Sequence, residues 1–416
     1  MKKIISLLLT LVMLAVCTAA LATSVDSNDT TKINTYKGID STANTIRIAK
    51  QIVFVNAEDT TVREPNITYT YTIASAAPGS ATITDSDGDI GNVKAGPIAA
   101  VSATTSTVTF ADTNTASATA NGTPAVKFAS FTFDPSKFLD NNALTPGIYR
   151  YSITETCSPT KASVGITAPD GYNAGRFLDV YVKWNDGRTE LEIYGYVLFE
   201  GEATTSITSP TVTMKSTGYV NTSTTAGTQT DVDIYTTQNL YINKTTTGSL
   251  ADKGHYFPVT VTLTAPTGVT PPKMDVTVTN ATLTTTSDTY VAAWGEVTGT
   301  VKDGALITIK GIPAGAKAKI VETNDTVDAY KVKAGTTSGG TDLLTEAVVA
   351  AGQFSSVSGD VTMSTAKGEI FITNTLDTIS PTGYVTRFAP YALMLIGGIA
   401  LLIVAKKHKK HSDEEE

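Results

Sequence analysis

The chain has 416 residues, 41% of them hydrophobic and 17% charged, with a formal net charge of −8. That is length for about two domains and enough apolar content to bury real cores. The acidic balance, with no basic patch interleaved with aromatics, argues against a nucleic-acid partner. Cys17 lies in an N-terminal apolar run, so Cys157 has no mate for an internal disulfide. His255 is the one histidine before the C-terminal tail, which leaves no material for histidine triads or most zinc sites. No enzyme, cofactor or metal is expected.

Lys2 and Lys3 precede the apolar run Ile4 to Ala20, and Ala20-Leu21-Ala22 supplies the small-x-small pattern of signal-peptidase cleavage. Residues 1–22 are expected to be a removed signal peptide, which makes the mature chain extracellular. Residues 23–43 are polar and expected to be flexible. From there on, strand-like alternation dominates and helical periodicity is nearly absent. Leu178, Val180, Val182 and Trp184 share one phase, Asn185-Asp186-Gly187 turns the chain, and Leu191, Ile193, Val197 and Phe199 return. Val259, Val261 and Leu263 alternate likewise. Many short strands with polar turns predict β-sandwiches. One is expected over residues 44–222 and a second over 238–376, with a Thr/Ser/Gly/Asp-rich linker at 223–237. Asp85-Ser86-Asp87-Gly88-Asp89 has the look of a calcium loop. However, Gly88 is misplaced for one and Gly96 stands where a Glu is needed, so a hairpin tip is expected.

Three polar residues recur in the same order in both halves. Lys50 lies in phase with Ile46, Ile48, Ile52 and Phe54, and Lys244 with Leu240 and Ile242. Glu155 follows Tyr149, Tyr151 and Ile153 in phase, and Glu322 follows Ala318 and Ile320. Asn374 is in phase with Ile370 and Ile372, while Asn221 follows Tyr219 more weakly. Side chains two apart share a strand face, so these residues are predicted to point into the cores. A buried lysine is costly unless neutral or paired. Desolvation lowers an amine pKa and raises that of a carboxylic acid. A neutral amine is a nucleophile, and a protonated Glu can polarise a side-chain carbonyl. Attack on an Asn carbonyl would expel ammonia and leave a Lys–Asn amide. Asp233 is an alternative acceptor in the first half, because Asp can form such a bond too. The bland reading of Lys50 and Lys244 is edge residues whose heads reach water.

The C-terminal region carries a second sorting device. Ile379, Ser380, Pro381, Thr382 and Gly383 precede an uncharged apolar run over residues 388–405, and Lys406, Lys407, Lys409 and Lys410 follow. The run is close to the lower limit for a transmembrane span, and the lysines would keep the tail cytoplasmic. Pentapeptide, span and basic tail over residues 379–416 resemble the cell-wall sorting signal of Gram-positive sortase substrates. Pro381 stands third in the pentapeptide, as in a variant of streptococcal pilins. Together with the two Lys–Glu–Asn sets, the chain resembles the streptococcal shaft (major) pilins.

That resemblance implies an all-β chain of two tandem Ig-like, Cna B-type β-sandwich domains. It implies Lys50–Asn221 and Lys244–Asn374 isopeptide bonds, assisted by Glu155 and Glu322. It implies cleavage by a sortase between Thr382 and Gly383 and transfer of Thr382 to a lysine of an identical subunit, for which Lys215 is the candidate. The polymer would be anchored to peptidoglycan on the cell surface and could meet a host surface. The membrane would enter only as a sorting intermediate. A monomeric sortase-anchored adhesin or ancillary pilin is the alternative.

Overall fold

The computed structural model describes residues 39–40, 44–76, 82–85, 88–169, 174–200, 216, 218–220, 232–284, 291–292, 294–326, 328–335, 342–349, 354–356, 361–362, 368–377, 391–404 and 406. They are almost all β, and two separate apolar clusters form the cores.

The first unit packs two sheets face to face. One sheet runs Leu191–Glu200, Gly175–Trp184, Gly147–Ser158, Ile67–Ser75, Thr105–Phe110 in spatial order. The other is built on Thr45–Asn56, which pairs antiparallel with Thr123–Thr132. On its other edge, Gly218–Tyr219 and then Asp233–Thr237 lie parallel to it. The alternation read in the sequence is the reason for the layering. In Ile67–Ser75 the residues Ile67, Tyr69, Tyr71 and Ile73 are all buried while the threonines between them are not. The hairpin expected around residue 185 forms, with Trp184 opposite Leu191. Its connection is wider than a two-residue turn and is held by Arg188 N–H donating to the Asn185 carbonyl. Thr82–Asp85 and Gly88–Ala95 also pair, with Asp85 opposite Gly88, as a hairpin tip there requires.

Residues 233–237, expected in the linker, are strand. The 15-residue strand Asp233–Thr247 starts in the first unit and ends in the second. Its first part pairs with Thr45–Asn56. Its second part lies between Gly368–Thr375, parallel, and Gly295–Pro313, antiparallel. Gly295–Pro313 continues into the facing layer of the second unit, where it pairs with Phe257–Thr264. Lys317–Thr323 pairs with that same strand. A strand that satisfies its backbone groups on both sides of the junction leaves no flexible joint there. Side chains reinforce it: Arg63 Nε and Nη2 lie 2.9 and 2.8 Å from Asp275 Oδ1, and Tyr241 and Asn239 both donate to Glu58.

On the face of the Gly147–Ser158 sheet turned away from the core, a buried ion pair forms in which Arg150 Nε donates to Asp179 Oδ1 at 2.6 Å and Nη2 donates to Oδ2 at 2.7 Å. Burial pushes the Asp179 carboxyl up against the pull of that guanidinium.

Residues 391–404 are helical with exposed apolar side chains. The remainder of the 388–405 run lies outside the described residues. Among the described residues no helix is long and apolar enough to cross a membrane.

Candidate functional site

Each core contains one buried lysine in contact with a carboxylate from the opposite sheet. In the second unit Lys244 sits on Asp233–Thr247, facing inward with Leu240 and Ile242. Its Nζ lies 2.9 Å from Glu322 Oε2 and donates to Oε1 at 3.2 Å. Asn374 Nδ2 donates to the same Oε1 at 2.7 Å. All three side chains are almost fully buried. The Phe257 ring covers the amine, 4.5 Å from its centroid. Asn374 Oδ1 has no hydrogen-bond partner among the described residues. Turning the amide by half a revolution would bring that oxygen to Glu322, where a protonated carboxyl could donate to it.

In the first unit Lys50 is fully buried on Thr45–Asn56. Its Nζ is 3.2 Å from Glu155 Oε2 and 2.8 Å from Asp233 Oδ2. Tyr69 donates to Asp233 Oδ2 at 2.5 Å, and Tyr71 donates to Glu155 Oε2 at 2.8 Å. The Tyr69 ring also lies under the amine, 4.2 Å from it. A second cation, Lys161, closes the site at its rim. Its Nζ is 3.1 Å from Glu155 Oε1 and 2.9 Å from Asp233 Oδ1.

The two sites share one register. Asn374 stands opposite Thr246, two residues beyond Lys244 on a parallel neighbour. Asp233 stands opposite Ile52, two residues beyond Lys50, also on a parallel neighbour. In both cases the acceptor is the diagonal same-face neighbour of the lysine, within reach of a long side chain. Glu155 and Glu322 then approach from the facing sheet. Asp233 therefore occupies in the first unit the place of Asn374 in the second. Asn221, Lys215 and the pentapeptide Ile379, Ser380, Pro381, Thr382, Gly383 lie outside the described residues.

The electrostatics fit an amine prepared for attack. Burial lowers the Lys50 ammonium from its ordinary value, against the opposing pull of Glu155 and Asp233, and the Lys161 charge adds to the lowering. Burial takes Lys244 down to about 8, with Glu322 opposing. A proton passing from Lys244 to Glu322 leaves the number of protons on the pair unchanged. The reactive form, neutral amine beside neutral acid, therefore carries the same one proton as the ion pair. Above pH 8 the pair loses that proton. Attack of Lys244 on Asn374 through that form would thus slow about tenfold per pH unit above that point and level off just below it. Refolding the chain at stepped pH, quenching and mapping the linked peptide measures this. A rate still rising above pH 9 would contradict the one-proton scheme.

Comparison with known proteins adds a family model and several structures. Residues 238–356 match a model described as a domain of unknown function, DUF7601. No curated protein matches. Among solved structures, the major pilin of Streptococcus pyogenes is similar at 17% identity over 80% of this chain and 99% of that one, with a TM-score of 0.37. The S. pyogenes major pilin T3.2 is similar at 19% identity, over 80% and 100% of the two chains, with a TM-score of 0.39. The pilus-presented adhesin Cpa is similar at 16% identity over 51% of this chain and 38% of that one, with a TM-score of 0.24. The roles of individual residues rest on the geometry of this chain.

Three participants have no clear sequence signal. Tyr69 and Tyr71 share a face in the Tyr69-Thr70-Tyr71 alternation, but aromatic alternation alone reads as core. Lys161 precedes a short 3₁₀ turn, Ala162–Val164, where no periodicity assigns a direction to a side chain. Cys157, half-buried, lies near this rim, and burial raises its thiol. That is the reverse of an activated nucleophile.

Proposed function

We propose that this chain is a structural subunit of a covalently polymerised pilus on a Gram-positive cell surface, with an autocatalytic intramolecular amide in each domain. The bonds are Lys50–Asp233, formed with loss of water, and Lys244–Asn374, formed with loss of ammonia. Glu155 and Glu322 move the protons. The supporting observation is the repeated geometry: two buried lysines, each beside a glutamate from the facing sheet and a side-chain carbonyl at the same diagonal register. Asp233 replaces Asn221 as the acceptor in this reading, because it is Asp233 that stands 2.8 Å from Lys50.

The bonds would suit a fibre because of their positions. Pulled from its ends, the chain would take load on Thr45–Asn56 and cross at Lys50 into Asp233. The load would then run along Asp233–Thr247 and cross at Lys244 into Asn374. Residues 51–232 and 245–373 would lie outside the load path. A hydrogen-bonded ladder under end-on tension unzips, whereas an amide does not.

The intact mass of a fragment spanning residues 23–377 should be short by one water and one ammonia. A full mass would remove the cross-linking reading. Polymerisation would use a sortase acting at Thr382, an identical subunit offering Lys215, and peptidoglycan at the base. In the native host a Lys215→Ala strain is expected to lose its high-molecular-weight ladder on denaturing gels. An unchanged ladder would assign the linkage to another lysine, and a host with no ladder at all would favour a monomeric anchored adhesin.

A further inference from the structure

The two sites differ in one respect that follows from charge. In the second unit one cation, Lys244, contacts one carboxylate, Glu322, beside a neutral amide, with Asp303 acting only at longer range and paired with Lys253. In the first unit the acceptor is itself a carboxylate, so Lys50, Glu155 and Asp233 alone would carry a net negative charge in a buried site. Lys161 restores neutrality, with its amine within 3.1 Å of both carboxylates. It touches Asp233 through Oδ1, the oxygen turned away from Lys50, whose own amine lies by Oδ2.

We propose that Lys161 is a catalytic residue of the first cross-link, required because the acceptor is Asp, and that it stabilises the oxyanion that develops on Asp233 Oδ1. The inference rests on the Lys50–Asp233 bond proposed above. A proton first passes from Lys50 to Asp233 Oδ2, leaving a neutral amine and a carboxylic acid. Lys50 Nζ then attacks Asp233 Cγ. The C–N bond forms, the C=O π pair moves onto Oδ1, and the Lys161 ammonium faces the new charge. Glu155 takes a proton from the attacking nitrogen and returns it to the Oδ2 hydroxyl. The Cγ–Oδ2 bond breaks, water leaves, and the Oδ1 pair closes the amide carbonyl. Lys161 remains an ammonium and Glu155 a carboxylate, so the site is neutral before and after.

Lys161 lies close enough to Asp233 to be considered as the nucleophile instead. Its partial exposure argues against that: its side chain is 19% accessible while that of Lys50 is 0%. Desolvation favours the neutral amine at Lys50 and leaves the solvated rim lysine as the ammonium. A preorganised cation aimed at developing charge in a water-poor site is a large catalytic contribution, and loss of one oxyanion donor slows comparable reactions about a hundredfold or more.

The test uses the full chain, unfolded, refolded, quenched at intervals and digested, with linked peptides identified by mass spectrometry. The Lys244–Asn374 peptide serves as an internal control in every variant. Lys161→Met should form the Lys50–Asp233 link about a hundredfold more slowly, while Lys161→Arg, which keeps the charge, should stay within a few-fold of the native chain. Lys161→Met combined with Asp233→Asn recreates the charge balance of the second site, and should link at a rate restored towards native, now losing ammonia. A native rate in Lys161→Met, or a native peptide joining Lys161 rather than Lys50 to Asp233, overturns the proposal. If Lys161→Met fails to fold, the double variant decides: its failure to link also overturns the proposal. Absence of any Lys50–Asp233 link in the native chain would instead refute the cross-link reading itself.

Discussion

Held between residues 44 and 377 and pulled, the Glu322→Ala chain is expected to lengthen by roughly 400 Å more than the native chain, the extended contour of the segment between Lys244 and Asn374. The proposed Lys244–Asn374 amide would bypass that segment in the native chain. Glu322 is the group that contacts both the amine and the Asn374 amide and could move the proton between them. The variant should also keep its ammonia in the mass spectrum. It further leaves Lys244 buried with its ion-pair partner removed, a change that costs about 3–5 kcal/mol. Single-molecule extension separates the two losses. Early yielding at unchanged contour length would report destabilisation alone, and would remove Glu322 from the bond-forming role.

The second large effect is expected from Lys50→Ala. The variant cannot form the proposed first cross-link, which by the loop-closure estimate would contribute about 5 kcal/mol for a loop on the order of 100 residues or more. It also leaves Asp233 and Glu155 buried with Lys161 as their nearest cation. The sum is comparable with the whole stability of a small domain. Calorimetry should therefore show an early transition for the first unit, ahead of that of the second. The shared strand Asp233–Thr247 makes the separation informative, because it ties the first unit to a neighbour that stays folded. A single transition at the native temperature would mean that Lys50 carries no cross-link.

The sequence by itself determined the β architecture and the inward direction of the key side chains. Period-two alternation places Lys50 with Ile46, Ile48, Ile52 and Phe54, and all five are buried in the structure. The same reasoning placed Glu155, Lys244, Glu322 and Asn374 on core faces, and all four are buried. Local phase suffices for this, because the pleat fixes the direction of each side chain from its neighbours alone.

What phase cannot give is which strand stands beside which. Tyr219 pairs with Lys50, so a strand continuing from it would put Asn221 opposite Ile52. That place is taken by Asp233, which pairs parallel with Thr45–Asn56. Gly218 makes the first approach possible. Its φ is +126°, and a Cβ there would meet the Ala49 carbonyl oxygen at 2.5 Å. The strand character of 233–237, within the expected linker at 223–237, has the same origin. The Thr/Ser/Gly/Asp-rich composition of 223–237 reads as a loop, yet a parallel partner supplies the backbone hydrogen bonds of 233–237 and makes it strand. Lys161 was beyond reach of the sequence altogether, since only the packing of a turn against two sheets brings it to the acidic pair. An amine and its acceptor are chosen by side-chain type, which is written in the sequence. The pairing of Lys50 with Asp233, and the second cation beside them, come from non-local register, which only the folded chain decides.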